Sequence, residues 1–398
     1  MNSKKSFVIG LATGIALIVV LFIGYDMYDR HVRWGGGMRP NDKVNEIFQL
    51  IESRSILPFD SDVRTEMIEN MYRGLVAGMG DPYSQYFDLI ALEAFYTRTG
   101  GEFVGIGVRV FMDPEDNLLT LFSVFPGAPA GYAGLLAGDK IVGVDGEDVA
   151  GLDQPDIMVL IAGYEGTTVN IEVFRPDEDR RFNVDITRAR VVVPSVFHEM
   201  IETDQGFTGY IRIESFERPT YNQFSSALEE LAALGMDSLI IDVRNNPGGL
   251  LDSVVSIANR LVPEGIIVYT ENVDGVQRTR RATGSYLGLP LVVLINERSA
   301  SASEVLGGAV QDTGVGSLVG EQTFGKGIVQ HIYYLSDGTA VKLTVEKYFT
   351  PNGTSIHGVG LVPDFVVEMD SILSRRIGDL PMEEDVQLQI ALRMVQNK

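Results

Sequence analysis

Residues 238–262 read SLIIDVRNNPGGLLDSVVSIANRLV, and this stretch sets the fold class. Ser238–Val243 is an apolar run of strand length. Asn245-Asn246-Pro247-Gly248-Gly249 interrupts it, and Leu251–Val262 resumes with apolar residues at helical spacing. Strand, turn and helix in direct succession form the building unit of an α/β domain. The alternation continues on both sides. Strands are expected at Gly209–Ile213, Ile266–Tyr269, Leu291–Ile295, Ser317–Gly320, Gly327–Tyr334 and Ala340–Tyr348, with helices at Tyr221–Leu234 and Ser301–Asp312. A last helix near Glu383–Val395 closes the chain.

Upstream the texture changes. From Gly100 the chain has short strands with glycine punctuation, at Val104–Val110, Leu118–Val124, Lys140–Val144 and Thr168–Phe174. Short helices are expected at Pro129–Leu135 and Gln154–Ile161, which makes a small, partly open β-structure with a helix beside one edge. Between Asn41 and Leu92 the pattern predicts two or three helices, broken near Pro58 and at Gly80-Asp81-Pro82, with no evident chemistry. Phe7 to Tyr25 is a 19-residue run without a charge. As a helix it would span about 28 Å, close to a hydrocarbon core. Its length and the lack of a small-x-small site after it favour an uncleaved transmembrane anchor over a signal peptide. Gly35-Gly36-Gly37 and Pro40 then read as a tether.

Composition narrows the function. The 398 residues allow two or three domains, and 45% apolar with 22% charged is ordinary globular usage. A net charge of −22 disfavours nucleic acid as a partner. With no cysteine, there is neither a disulfide framework nor a thiolate catalyst. The four histidines form no H-E-x-x-H or H-x-x-E-H pattern, and G-x-S-x-G is missing. No metal or cofactor is implied.

Three segments remain that suit acyl-transfer chemistry. Lys326, one of eight lysines, stands between Gly325 and Gly327 at the entry to an apolar strand. Desolvation there lowers the pKa of an amine and lets it accept a proton. With a period of two, Lys326, Ile328 and Gln330 share a face, so Gln330 can hold the amine. Ser299-Ala300-Ser301-Ala302-Ser303-Glu304 follows an apolar strand and opens a helix, where free amides can receive an oxyanion. The Pro247-Gly248-Gly249 turn likewise presents N–H groups to an anion, but the G-x-x-x-x-G-K-[ST] phosphate loop is absent.

In this order the segments resemble the carboxy-terminal processing peptidases, or tail-specific proteases. The matching stretches are GEFVGIGV at 101–108, AGLLAGDKIVGVDGEDV at 133–149, GYIRIESF at 209–216, IIDVRNNPGGLLD at 240–252, SASASEV at 299–305 and GEQTFGKGIVQ at 320–330. The resemblance implies a PDZ domain joined to an α/β Ser–Lys protease core of the ClpP/crotonase-like type. It also implies Ser301 as nucleophile, Lys326 as general base and Gln330 as its orienter. The oxyanion hole would be made by Ala302 with Gly249 or Gly248, Gly249 being favoured. Ser301 and Ser303 are separated only by family spacing. In the PDZ segment, Phe103, Val104, Gly105, Ile106 and Gly107 would receive a terminal carboxylate. The strand from Val104 would offer an open edge to a peptide with an apolar C-terminus. The implied organisation is a tip, anchor and tether over 1–40, a helical region over 41–99, PDZ over 100–188, protease over 189–370 and a helical tail over 371–398.

Two departures from the family stand out. Arg298 is bulkier than the residue expected before the serine run, and 161–167 lacks the family's usual basic residues. The basic residues flanking the apolar run are nearly balanced, so orientation rests on the resemblance. Members act outside the cytoplasm, which implies a single-pass protein of the cell membrane with its soluble domains external. The helices of 41–92 and the C-terminal helix resemble those used for dimerisation, so a homodimer is one expectation; any activating adaptor is unknown. Two other classes compete, namely a catalytically silent PDZ scaffold that presents tails to another protease, and a penicillin-binding-type acyltransferase. The joint presence of Ser301, Lys326 and Gln330 disfavours the first, and the absence of S-x-x-K the second.

Overall fold

The computed structural model describes residues 18–25, 28 and 39–396. The chain divides into two units, 1–75 and 76–398. In the first, residues 18–25 are helical and exposed, Pro40–Arg54 is a helix opened by its proline at the first position, and Ser61–Ala77 begins a second. Most of the expected anchor lies outside the described residues. Among the described residues no helix is long and apolar enough to cross a membrane.

In the second unit the PDZ segment is a β-sheet ordered Val108–Met112, Leu119–Val124, Lys140–Val144, Thr168–Arg175 and Arg180–Thr187, with Glu147–Asp148 paired beside the middle strand. Ile106, Leu119, Ile141, Ile157, Val169, Ile171 and Ile186 fill its core. The single strand expected at Val104–Val110 is in fact two. Glu102–Gly105 pairs with Ala189–Val192, while Val108–Met112 pairs with Leu119–Val124. The break falls at Gly107, where φ is +80° and a Cβ would lie 2.3 Å from that of Ala128, so the chain can turn there only as glycine. The open edge therefore belongs to Val108–Met112, and the strand at Val104 is already paired.

The α/β part is built on a six-stranded sheet ordered Val196–Thr203, Gly206–Ile213, Ser238–Asp242, Leu291–Ile295, Gly316–Gly320 and Phe365–Val366. The first pair is antiparallel and the rest parallel. Its central strands are apolar on both faces because both are covered. Leu239, Ile241, Val293 and Ile295 pack with helices Thr220–Ala233, Leu251–Leu261 and Ala302–Thr313. Ile240, Val292 and Leu294 face Leu388, Ala391 and Leu392 of the final helix, Val386–Gln396. A second sheet joins Gln85–Phe87, Ala340–Phe349, Gly265–Asn272 and Gln277–Ala282, with Ile328–Tyr334 also paired to Ala340–Phe349.

Candidate active site

The loops that leave Ser238–Asp242 and Leu291–Ile295 lie at the carboxyl ends of neighbouring parallel strands, the usual place for a site in an open α/β sheet. They are stitched together. Asn245 N–H donates to Asn296 Oδ1 and Asn296 Nδ2 to Asn245 Oδ1, both at 2.9 Å, and Ala300 N–H donates to the Asn246 carbonyl at 3.0 Å. Beneath them Arg244 is fully buried and bridges Asp242 at 2.6 Å and Asp385 at 2.7 Å, tying the turn to the C-terminal segment. Tyr210 adds a hydrogen bond to Asp242 at 2.7 Å, and burial followed by that carboxylate pushes its phenol pKa up.

Ser301 is the N-cap of helix Ala302–Thr313 and has a φ of +56°. That conformation costs a non-glycine residue on the order of 1–3 kcal/mol and persists only where the surroundings impose it. Glu304 imposes it here. Its fully buried carboxylate accepts the N–H of Ser301 at 2.8 Å, of Lys326 at 2.8 Å and of Gly325 at 2.7 Å, and the Thr323 hydroxyl at 2.6 Å. One anion thus fixes both the serine turn and the lysine loop. The flanking serines are spent on structure: Ser299 Oγ donates to the Val243 carbonyl at 2.8 Å and Ser303 Oγ to that of Asn246 at 2.9 Å. Of the three, only Ser301 donates its hydroxyl to no backbone carbonyl among the described residues.

Two amides of these turns have no acceptor among the described residues, that of Ala302, which follows Ser301, and that of Gly249, which follows Gly248. The Gly248 N–H is already donated to Asn246 Oδ1 at 2.8 Å, which leaves Gly249 as the donor with capacity for an oxyanion. Gly248 instead provides the close approach. Its φ is +103°, and a Cβ would come within 2.8 Å of Ser301 Cβ and 2.7 Å of the Ala300 carbonyl. Gly249 has φ +147° and would press a Cβ to 2.1 Å from the Phe216 carbonyl.

Lys326 is half-buried, and burial lowers its pKa below the ordinary lysine value, against the pull of Asp81 and Glu304. Its Nζ lies 4.9 Å from the centroid of the Tyr83 ring, and among the described residues no hydrogen bond links it to Ser301 Oγ. The Ser301 side chain instead hydrogen-bonds Tyr348, a phenol whose pKa is pushed up to about 12 by burial, with the serine opposing. The Tyr348 N–H holds the Gly327 carbonyl at 2.9 Å, next to Lys326. Among the described residues no hydrogen bond links Gln330 to Lys326; its amide donates to the Ile328 carbonyl at 3.5 Å.

Asp81 and Tyr83 come from a segment whose sequence signals no chemistry, and nothing local ties them to a lysine so far along the chain. Glu304 was more accessible, because serine followed three residues later by glutamate at a helix start is the capping-box pattern. In the PDZ segment, Ile106 and Gly107 at the strand break have N–H groups without acceptors among the described residues, while the carbonyls accept Ala130 and Phe125 N–H.

A serine at a helix start, flanked by two unused amides and a desolvated lysine loop, on an α/β sheet joined to a PDZ domain, defines a PDZ-containing serine hydrolase. The profile of peptidase family S41 matches residues 207–367, and that of the PDZ domain residues 104–186. The chain is 36% identical over 322 residues to the carboxyl-terminal-processing protease of Picosynechococcus sp., covering 81% of this chain and 77% of that protein. To the carboxy-terminal processing protease CtpB of Bacillus subtilis it is 33% identical, covering 87% and 71%. A solved Bacteroides fragilis structure assigned to the S41 proteases shares the fold with a TM-score of 0.52 at 17% identity, covering 80% of this chain and 87% of that one. The chain belongs to the carboxyl-terminal-processing proteases of peptidase family S41 and is a serine-type peptidase, so the scaffold and acyltransferase readings fall away.

Proposed function

We propose that this protein is a membrane-anchored endopeptidase that captures protein C-termini in its PDZ domain and cleaves them with Ser301 and Lys326. The observation that supports this reading is the close approach of the Gly248 turn to Ser301, with the N–H groups of Gly249 and Ala302 unused among the described residues. In the reactive arrangement the Lys326 side chain turns from Tyr83 to Ser301. The neutral amine takes the hydroxyl proton as Oγ bonds to the scissile carbonyl carbon, and the two amides hold the oxyanion. The tetrahedral species collapses, the C–N bond breaks, and the ammonium of Lys326 gives its proton to the leaving amine. Water, deprotonated by the same amine, then cleaves the ester and restores Ser301.

Capture of the tail is supported by the unpaired Ile106 and Gly107 amides beside the open edge of Val108–Met112, which suit a terminal carboxylate and an added strand. Phe103, Val104 and Gly105 lead into that turn. The anchor is supported by the uncharged run from Phe7 to Tyr25, and the family resemblance puts the catalytic part outside the cytoplasm. Comparing C-terminal peptides of the host membrane fraction with wild type and with Ser301→Ala tests the whole reading. Shortened C-termini that depend on Ser301 support it. Identical peptide sets, together with no fluorophosphonate labelling of Ser301, refute it.

A further inference from the structure

Beside the oxyanion amides lies a cleft of about 670 Å³ whose chemistry the catalytic residues do not explain. Its wall starts at Leu250, the residue after Gly249, and includes Tyr221, Ser253, Val329, Arg218 and Arg280. Ser253 is the telling member. It is 7% exposed, and its Oγ has no hydrogen-bond partner, although a buried hydroxyl left unpaired is costly. Ser253 stands in the first turn of the 11-residue helix Leu251–Leu261. The N–H groups of Leu251, Asp252 and Ser253 have no acceptor among the described residues, so the positive end of the helix faces the same space. Arg218 is exposed and has no partner among the described residues, and Arg280 reaches Asp252 at 3.1 Å. Two guanidinium groups against one carboxylate leave this cleft positive on a chain of net charge −22.

We propose that this cleft is the subsite for a side chain on the acyl side of the scissile bond, and that it selects Asp or Glu. The inference rests on the peptidase reading of Ser301. Leu250 follows Gly249 directly, so the cleft begins one residue from an amide that would hold the carbonyl oxygen. The leaving amine must meet Lys326, whose Nζ stands over Tyr83, a residue that lines a different cavity. A carboxylate in the cleft would take the first-turn amides as donors, with Arg218 and Arg280 supplying charge, and a turn of the Ser253 side chain would bring its unpaired hydroxyl to the same anion.

The test is a set of otherwise identical peptides carrying Glu, Gln or Lys at each of the three positions before the cleaved bond, with kcat/KM measured on the full-length enzyme. At one position Glu should exceed Gln by about tenfold and Lys by more, a difference that shrinks in high salt. Arg218→Ala and Arg280→Ala should each bring the Glu-to-Gln ratio towards one, and Arg280→Glu should turn the preference towards Lys. Both arginines are surface residues, so their variants should fold. Ser253→Ala should lower the same ratio through KM. A flat profile on peptides that are cleaved, or a Glu preference that ignores both arginines, overturns the subsite and leaves the peptidase reading standing. If no peptide is cleaved and Ser301 takes no fluorophosphonate, both are overturned.

Discussion

Glu304 accepts the backbone N–H of Ser301 and that of Lys326 on the same carboxylate oxygen, each at 2.8 Å. The distance between the serine turn and the lysine loop is therefore set by a buried anion and is independent of where the lysine side chain points. Glu304→Gln turns an amide donor towards N–H groups in the same site. Losing charge-assisted bonds there should cost about 2–3 kcal/mol of stability. The activity loss should fall on kcat more than on KM. Chemical denaturation with parallel kinetics checks it, and a variant with native stability and full kcat would contradict it.

The serine assignment makes a paired prediction. Ser301→Ala should abolish both turnover and fluorophosphonate labelling. Ser303→Ala should keep labelling at Ser301 and lose about 1 kcal/mol of stability, because Ser303 Oγ serves only the Asn246 carbonyl. The reverse pattern, measured by mass spectrometry of the labelled peptide, would move the nucleophile.

Gly248→Ala should fold poorly or not turn over, since its Cβ would come within 3.0 Å of Ala302 N and 2.8 Å of Ser301 Cβ, at a φ of +103°. In any folded fraction, kcat should fall by about 10²-fold or more, as for loss of an oxyanion donor. Wild-type kcat in this variant would show that the Gly248 turn does not shape the site.

The acid limb of the rate profile should follow Lys326. Burial holds its pKa below the ordinary lysine value, and Asp81 partly restores it. With the free amine as the proposed base, kcat/KM should rise with pH through that lowered pKa and then level off. Asp81→Asn removes an attraction for the ammonium and should move the limb to lower pH; movement to higher pH would rule out this electrostatic account. For stability the sign is the same. The unfolded lysine binds its proton more tightly, so between the lowered folded value and the ordinary one the Lys326 contribution grows as pH rises.

Arg244→Ala should destabilise the protein by about 3–5 kcal/mol, because it strands Asp242 and Asp385 in the interior without their cation. The C-terminal helix should become the first site cut in limited proteolysis. Unchanged protection of Val386–Gln396 would show that the helix is held by its apolar face alone.

Short-range sterics and periodicity account for the features that the residues alone make plain. The Pro-Gly-Gly turn between strand and helix, the serine run at a helix start, the lysine between glycines and the alternation of strands with helices were all legible there. Each depends on φ/ψ limits or on the side-chain period of a few neighbouring residues. Tertiary structure alone decided that Tyr83 and Asp81 neighbour Lys326, that Tyr348 holds Ser301, and that Gly249 and not Gly248 has an amide to spare. It also set the Gln330 amide on the Ile328 carbonyl and moved the open PDZ edge from Val104 to Val108. These features arise from pairing between segments far apart in the chain. There a one-residue slip or one shared hydrogen bond changes which group faces the site, and no local pattern records it.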